Sequence, residues 1–334
     1  MVKRYPDKAY RTAFLLGGIG TGNFSVGSRG QLTDFELFNR PGKGARSSFT
    51  FFAIRAKAGD APAVTKVLEA RLPEYLSDPF GMPTRDFGGL PRLDSSVLSA
   101  EYPFVNVEFA DSNLPVDVKL EAFTPFIPLN ARDSGIPAAI MRYSVTNTSE
   151  QPADVSVAAS FQNMAGYEGL IFGNSLKLNF KAESEKAAHG RLKGFVFTNK
   201  NSGYEIPREN SMSLSTTADD VTYKQNWLPG WADGLRDFWD DFSDDGRLAE
   251  PEPIRNARIP FAAVKVSSIA ASRILAPGEV YAFEFVVSWY FPNRPKAWAC
   301  AECECEAWEK NYYATVFGSA WVNVTLDNMA DYDF

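Results

Sequence analysis

Alternation of apolar and polar residues is the feature that most constrains how this chain can fold. In segment 281–291 every odd position carries a large apolar residue, whereas the even positions include Ala282, Glu284 and Ser288. A period of two gives a β-strand one buried face and one more polar face. This segment therefore predicts a strand that lies on a hydrophobic core.

Further strand patterns recur along the chain and are separated by polar turns. Segments 104–109, 140–145 and 153–161 alternate similarly, and 49–54 is a continuous apolar run that predicts a strand buried on both faces. Segment 147–152 is rich in turn-forming residues and predicts a hairpin connection. Many strands with few long helical patterns predict an all-β fold, a large antiparallel β-sandwich over residues 1–295.

Two segments depart from the strand pattern. In 231–242 apolar residues recur at helical spacing, which predicts an amphipathic helix. The C-terminal residues 296–334 are richer in Ala and Glu, and the positions of Trp308 and Tyr312 are compatible with helix. We expect a short helical linker there, whose apolar residues need a surface to pack against.

Composition excludes several classes of function. The formal net charge is −7, which argues against a nucleic-acid partner, because such proteins need a surplus of Lys and Arg. The longest apolar runs fall short of the about 20 residues that span a bilayer. The N-terminal apolar run is too short for the core of a signal peptide. We therefore expect a cytoplasmic protein without a membrane span.

The cysteines and the histidine offer little for metal or nucleophilic chemistry. Cys300, Cys303 and Cys305 form an odd, clustered set, which is not a disulfide framework. Zinc would need a fourth ligand, and the single histidine, His189, lies far upstream in a polar segment. Reduced thiols and no metal or other cofactor are the expectation.

The glycine-rich run 16–22 leaves two interpretations open. It lacks the dinucleotide-binding fingerprint, because Asn23 stands where a third glycine is required, and no P-loop lysine follows. Gly18, Gly20 and Gly22 either form a structural turn that needs close backbone packing or contact a ligand.

The densest polar stretch, 29–44, is similarly open. It carries Asp34, Glu36, Asn39, Arg40 and Lys43 within ten positions. These groups suit hydrogen bonds to sugar hydroxyls, with a neighbouring phenylalanine as an apolar wall. They also suit an ion-paired turn between two strands.

Other features of carbohydrate enzymes give no clear site. Glycoside hydrolysis usually needs two carboxylates at a set distance, and none of the 41 acidic residues stands out as such a pair. We predict no catalytic residue. The tryptophans Trp227, Trp231 and Trp239 suit either a core or a sugar-stacking platform, and their helical spacing favours the core.

An ordered set of motifs resembles the N-terminal domain of glycoside hydrolase family 116, which includes non-lysosomal glucosylceramidase, the bile-acid β-glucosidase, and bacterial β-glucosidases. The set runs through nearly the whole chain. It comprises residues 16–22, 34–42, 51–55, 121–128, 136–139, 160–163, 238–242, 291–294 and 311–313.

The resemblance implies an N-terminal β-sandwich joined to a C-terminal (α/α)6 toroid that carries the Glu nucleophile and Asp acid/base of a retaining β-glucosidase. This chain stops where that toroid should begin, so no catalytic residue carries over. We expect a non-catalytic domain whose partners are the toroid and a β-glucoside substrate. The glycine-rich run and the 34–43 stretch are its candidate sugar contacts. An independent carbohydrate-binding module is the alternative.

Overall fold

The computed structural model describes residues 2–47, 49–72, 89–166, 170–171, 174–175, 182–199, 210–229, 233–251, 265–295 and 308–321. Strands dominate these residues. In chain order the strands are β1 (Arg4–Pro6), β2 (Ala13–Leu16), β3 (Phe24–Gly27), β4 (Leu32–Thr33), β5 (Phe51–Ala58), β6 (Val64–Ala70), β7 (Arg92–Leu93), β8 (Ser95–Glu101), β9 (Phe104–Ala110), β10 (Val116–Phe123) and β11 (Ala138–Asn147). They continue with β12 (Ala153–Gln162), β13 (Leu170–Ile171), β14 (Asn174–Ser175), β15 (Ala182–His189), β16 (Leu192–Asn199), β17 (Ser211–Thr216), β18 (Val221–Lys224), β19 (Val266–Leu275), β20 (Val280–Tyr290), β21 (Asn293–Pro295) and β22 (Trp308–Lys310). The described helices are α1 (Asp233–Asp245) and two 3-10 helices, Asp133–Gly135 and Tyr312–Thr315, and residues 320–321 are also α-helical.

Two large sheets organise these strands into a sandwich. Within the described ranges, one sheet has nine strands in the order β1-β8-β9-β10-β11-β20-β17-β16-β15, and the other has six in the order β18-β19-β12-β5-β6-β7. Neighbouring strands run antiparallel, except that β6 and β7 are parallel. A smaller three-stranded sheet joins β2, β3 and β4. The predicted all-β antiparallel sandwich is confirmed.

The core lies between the two large sheets, where alternate side chains of each strand meet. On β20, Phe283, Phe285 and Trp289 are fully buried, as the period of two predicted. The ring of Phe52 on β5 bridges the sheets, because its centroid lies 4.9 Å from that of Tyr143 on β11 and 5.4 Å from that of Phe285. Such offset and edge contacts add to the free energy gained from burial alone.

Strand β5 is buried on both faces, which confirms the interpretation of its continuous apolar run. Phe52 points at the nine-stranded sheet, whereas Phe51 points the other way. The ring of Phe51 packs edge-on against that of Phe238 of α1, with a centroid separation of 5.6 Å. The predicted amphipathic helix therefore covers the outer face of the six-stranded sheet. Its buried side includes Leu235, Phe238 and Phe242.

The C-terminal end of α1 is closed by a glycine and an arginine. Gly246 adopts a positive φ of 80° and its N–H donates to the carbonyl of Phe242 at 3.0 Å. Arg55 donates from Nε to the carbonyl of Ser243 at 3.1 Å and from Nη2 to that of Asp244 at 2.7 Å. These bonds satisfy carbonyls that a helix end leaves without partners, and the cation offsets the negative end of the helix dipole.

The C-terminal segment 308–321 folds back on the outer face of the nine-stranded sheet. Tyr313 and Phe317 are buried there against Ile140 and Val286. The helical interpretation of Trp308 is wrong, because β22 pairs with β21 and satisfies its backbone groups as a strand. The described helical parts are the 3-10 helix Tyr312–Thr315 and the α-helical residues 320–321. Cys300, Cys303 and Cys305 lie outside the described residues, and the domain boundary at 295 stays a prediction.

No helix in the described part of the chain has the length and apolar character needed to cross a membrane.

The buried amine of Lys224 on β18 makes a testable prediction about α1. Its Nζ lies 2.8 Å from Asp237 Oδ2 and 3.0 Å from Asp241 Oδ2, two carboxylates one turn apart on the helix. We expect Lys224→Met to lower the free energy of unfolding by about 2 kcal/mol, because the two carboxylates then repel each other without a counter-ion. Equilibrium urea unfolding measures the change.

A matched control is the exposed pair of Arg247 and Asp220, whose side chains approach to 2.7 Å. Arg247→Met should cost less than about 1 kcal/mol, since solvent screens that pair. Equal losses for the two variants would contradict a special role for Lys224.

Candidate functional site

The glycine-rich run forms the tight connection between β2 and β3, and close backbone packing explains most of its glycines. A Cβ at Gly17 would lie 2.3 Å from the carbonyl oxygen of Gly22, and one at Gly18 would lie 2.4 Å from that of Ile136. Gly20 instead has open space and a positive φ of 72°. The accessible part of this turn is therefore its tip, Ile19 and Gly20.

Hydrogen bonds fix the turn to the nine-stranded sheet. The N–H of Gly17 donates to Thr124 Oγ1 at 2.6 Å, and the N–H of Ile19 donates to the carbonyl of Ser134 at 2.7 Å. The buried Trp289 donates from Nε1 to the carbonyl of Thr21 at 2.8 Å. These bonds leave the turn little freedom, while the side chain of Ile19 stays 58% exposed.

The polar stretch 34–44 folds beside this turn, so the structure brings the two predicted candidate segments together. The N–H of Glu36 donates to the carbonyl of Asn23 at 2.8 Å. Gly22, at a positive φ of 82°, packs so closely that a Cβ would lie 2.7 Å from the carbonyl oxygen of Glu36. We call the turn 17–22 and the loop 34–44 together the loop pair.

The carboxylates of the loop pair are engaged within the loop itself. Lys43 Nζ lies 2.9 Å from Glu36 Oε2 and 3.7 Å from Asp34 Oδ2. Glu36 Oε1 also accepts the N–H of Gly42 at 2.9 Å, and Asp34 Oδ1 accepts that of Gly44 at 2.6 Å. This is the ion-paired turn that the sequence left as one of two interpretations.

Electrostatics keep Glu36 ionised. Partial burial opposes its charge, but the N–H of Gly42 and the ammonium of Lys43 outweigh that effect and hold its pKa below the usual value. Burial opposes the charge of Lys43, but the carboxylates of Glu36 and Asp34 outweigh that effect and raise its pKa. A general acid needs the opposite shift, because it must carry a proton near neutral pH.

Asn39 ties the loop pair to the C-terminal segment. Its Nδ2 donates to the carbonyls of Phe291 at 3.1 Å and Asn293 at 2.9 Å, and its Oδ1 accepts from Asn311 Nδ2 at 2.8 Å. It holds a positive φ of 56°, which asparagine tolerates better than most residues. We call these contacts the asparagine bridge. Arg40, the next residue, is exposed, and within the described chain it has no hydrogen bond or ion pair.

Other sequence candidates lie away from the loop pair. Trp227 is buried, and its ring stacks on that of Phe238 with a centroid separation of 4.9 Å. Its Nε1 donates a hydrogen bond of 2.8 Å to Ser268 Oγ, so Trp227 belongs to the core. Trp239 is partly buried against the same cluster. Trp231 lies outside the described residues. Within those residues no group of His, Cys, Asp and Glu side chains could hold a metal ion.

A second surface was missed by the sequence analysis. It is a cleft of about 670 Å³ where β1, β8, β9 and β10 meet on the outer face of the nine-stranded sheet. Two aromatic residues in its lining are unusually exposed, Tyr102 at 48% and Phe104 at 43%. We call it the aromatic cleft. Its lining includes Arg4, Glu101, Tyr102, Phe104, Asn106 and Glu121.

The asparagine bridge generates a prediction that separates its hydrogen bonds from its backbone strain. Asn39→Gly keeps the positive φ but removes three side-chain hydrogen bonds, so we expect the free energy of unfolding to fall by about 2 kcal/mol. Asn39→Ala should lose about 1 kcal/mol more, because alanine is strained at that φ. Urea unfolding of both variants measures these losses.

Hydrogen exchange at 308–321 gives an independent reading, since these amides should lose protection in Asn39→Gly. Arg40→Ala is the control and should change stability by less than about 0.5 kcal/mol. An Asn39→Gly chain as stable and as protected as the parent would contradict the bridge.

Comparison with known proteins places the chain in a family. Residues 13–332 match the family model described as beta-glucosidase 2, glycosyl-hydrolase family 116 N-term. Among solved structures, a polysaccharide lyase is similar at a TM-score of 0.35 and 13% identity, over 85% of this chain and 33% of that protein. A putative kojibiose phosphorylase from the human microbiome is similar at a TM-score of 0.32 and 10% identity, over 86% of this chain and 25% of that one.

The chain thus spans a third or less of the length of these two solved structures. The family match leaves unmatched only residues 1–12 and 333–334 of this chain. It also agrees with the all-β sandwich that the structure shows. This protein belongs to the N-terminal domain family of glycosyl-hydrolase family 116.

Proposed function

We propose that this chain is a non-catalytic β-sandwich that supports a linked (α/α)6 β-glucosidase domain and lines one side of its substrate cleft. Family membership supports a linked catalytic domain and a glycoside substrate. The loop pair is the part of the sandwich that we assign to the cleft.

The asparagine bridge is the observation that carries this proposal. Through Asn39 and Asn311 it joins the loop pair by hydrogen bonds to the segment that follows the last core strand, which fixes the position of one against the other. Functional loops act best when a rigid scaffold positions them. The tip at Ile19 and the side chain of Arg40 are exposed on this fixed backbone and suit contacts to a neighbouring domain or a sugar.

The chemistry of the loop pair favours support over catalysis. Asp34 and Glu36 share one cation and accept backbone N–H groups, and the lowered pKa of Glu36 makes it a poor proton donor. A glycosidase needs one carboxyl that is protonated and a second that faces the sugar. Gly18 and Gly22, which were candidate sugar contacts, serve backbone packing.

The purified 334-residue chain should not hydrolyse an aryl β-glucoside above the rate of a heat-denatured sample. The expected result follows because the proposed acid and nucleophile belong to the linked domain. Release of the aryl alcohol, followed by absorbance, is the measurement. Turnover that co-purifies with the chain through two further columns would overturn the proposal.

The nature of the aglycone is a finer proposal. The resemblance in sequence to glucosylceramidases supports glucosylceramide as a substrate of the two-domain enzyme. Comparing its turnover with that of an aryl β-glucoside, in an enzyme that carries both domains, tests this point. An enzyme that cleaves only the aryl glucoside would contradict it.

The alternative, a carbohydrate-binding module, draws support from a different surface. A platform built on Trp227 is excluded, because that ring is buried in the core. Two exposed aromatic rings lie together instead in the aromatic cleft, at Tyr102 and Phe104.

A further inference from the structure

The aromatic cleft combines the two kinds of surface that a sugar ring needs. Strand register places Phe104 opposite Phe123, and Asn106 opposite both Ser99 and Glu121. Residues two apart on a strand point to the same face, so an aromatic row and a polar row lie side by side. A pyranose offers apolar C–H faces and a rim of hydroxyls, which match these two rows.

The aromatic rings are arranged as a supported platform. The ring of Tyr102 packs edge-on against that of Phe126, with a centroid separation of 5.0 Å, and its centroid lies 6.2 Å from that of Phe14. The ring centroids of Phe104 and Phe123 are 5.3 Å apart. These neighbours fix the orientation of both rings while leaving much of their surface in water. Clustered exposed aromatics are uncommon on soluble domains and mark binding surfaces.

The polar row has unused hydrogen-bonding capacity. Asn106 Oδ1 is buried and has no hydrogen-bond partner among the described residues. Within the same part of the chain, Glu101 makes no side-chain hydrogen bond or ion pair. A buried acceptor without a partner costs free energy. Because the Asn106 side chain lines the cleft, rotation of its amide towards the cleft would let a ligand hydroxyl remove that cost.

Other polar groups of the cleft are oriented by ion pairs. Arg142 Nη1 lies 3.1 Å from Glu121 Oε1, and its Nε lies 2.8 Å from Glu284 Oε1. On the opposite side Arg4 pairs with Glu108. Carboxylates held in this way present their remaining lone pairs in a fixed direction, as acceptors for hydroxyl groups.

Size and shape suit more than one sugar ring. At about 670 Å³ the cleft lies within the range of small-molecule sites. A second cavity of about 480 Å³ lies beside it and shares Val2, Ala100 and Glu101. Its other lining residues include Tyr5, Phe14 and Leu98, which pack on the core side of the sheet, so the aromatic cleft alone is the site on the outer face.

We infer that the aromatic cleft is a binding site for a neutral, β-linked gluco-oligosaccharide, with sugar rings on Tyr102 and Phe104 and hydroxyls hydrogen-bonded to Asn106 and Glu101. The gluco configuration and β linkage rest on the proposed function, whereas the sugar class rests on the cleft itself. The site is separate from the loop pair and needs no catalytic group.

Titration of the purified chain with cellotetraose at millimolar concentrations tests this site. We expect saturable binding by calorimetry, and saturation-transfer NMR should show the ring protons of the sugar receiving magnetisation from aromatic side chains. Tyr102→Ala should weaken binding about tenfold, because a stacked aromatic contact is lost. Asn106→Ala should weaken it about threefold to tenfold, the loss of one hydrogen bond.

Three controls test whether the loss of sugar binding is specific to the aromatic cleft. Tyr102→Trp retains an aromatic face and should bind within about threefold of the parent chain. Tyr312→Ala removes a different exposed tyrosine, on the C-terminal segment, and should leave binding unchanged. Far-UV circular dichroism and urea midpoints of each variant establish that it is folded.

The absence of saturable binding to cellotetraose and to its α-linked counterpart maltotetraose would overturn the site. So would equal losses in Tyr102→Ala and Tyr312→Ala, or concentration-dependent self-association that Tyr102→Ala abolishes without any effect of sugar. Preference for maltotetraose would overturn the β linkage. Hydrolysis by the chain would contradict the proposed function but not this site, because binding and turnover are measured separately.

Discussion

The contact of Phe52 with the opposite sheet is the interaction on which the rest of the structure depends. Its ring meets Tyr143 and Phe285 across the core, whereas the adjacent Phe51 meets Phe238 of α1 on the other side. One short strand thereby sets the spacing of three layers: the nine-stranded sheet, the six-stranded sheet and the helix. Because strand side chains alternate, fixing which faces point inward also fixes which point outward. The outer rows of β9, β10 and β11, and so the aromatic cleft, follow from this choice.

The same constraint explains where charged groups are tolerated inside the fold. Glu69 on β6 places its Oε2 3.3 Å from Arg92 Nε and 3.6 Å from Arg29 Nη1, and all three residues are buried. Its charge reaches Tyr143, whose pKa is raised well above the usual value, chiefly by burial and further by Glu69. Buried charges persist only when they are paired and hydrogen-bonded. This cluster joins the turn after β3 to β6, since Arg29 also donates to the carbonyl of Ala70 at 3.1 Å. The turn is thereby held against the six-stranded sheet.

Sequence patterns predicted most local elements and missed what is distant. The hairpin predicted at 147–152 was wrong, because this segment joins β11 of the nine-stranded sheet to β12 of the six-stranded sheet. The period of two predicted β20, the continuous apolar run predicted the two-sided burial of β5, and helical spacing predicted α1. The asparagine bridge joins Asn39 to Asn311 across most of the chain, and no local pattern encodes such a pair. The aromatic cleft did leave a signal. On β9 the buried positions are Val105, Val107 and Phe109, so Phe104 shares the phase of Asn106 and Glu108 and faces outward. A large aromatic in the polar phase of an alternating strand is the feature that sequence reasoning overlooked.

Polar density and binding capacity are therefore different properties in this protein. The stretch around Asp34, Glu36 and Lys43 is the richest in charge, yet its groups satisfy one another and the backbone. A ligand that bound them would first have to break those bonds, and the gain would be small. The aromatic cleft has fewer polar groups, but Asn106 Oδ1 is buried without a partner and two aromatic faces are exposed to water. Binding there replaces water on apolar surface and adds hydrogen bonds that the folded chain does not make. Unused capacity, rather than the number of polar residues, distinguishes a surface that can bind from one that holds the fold together.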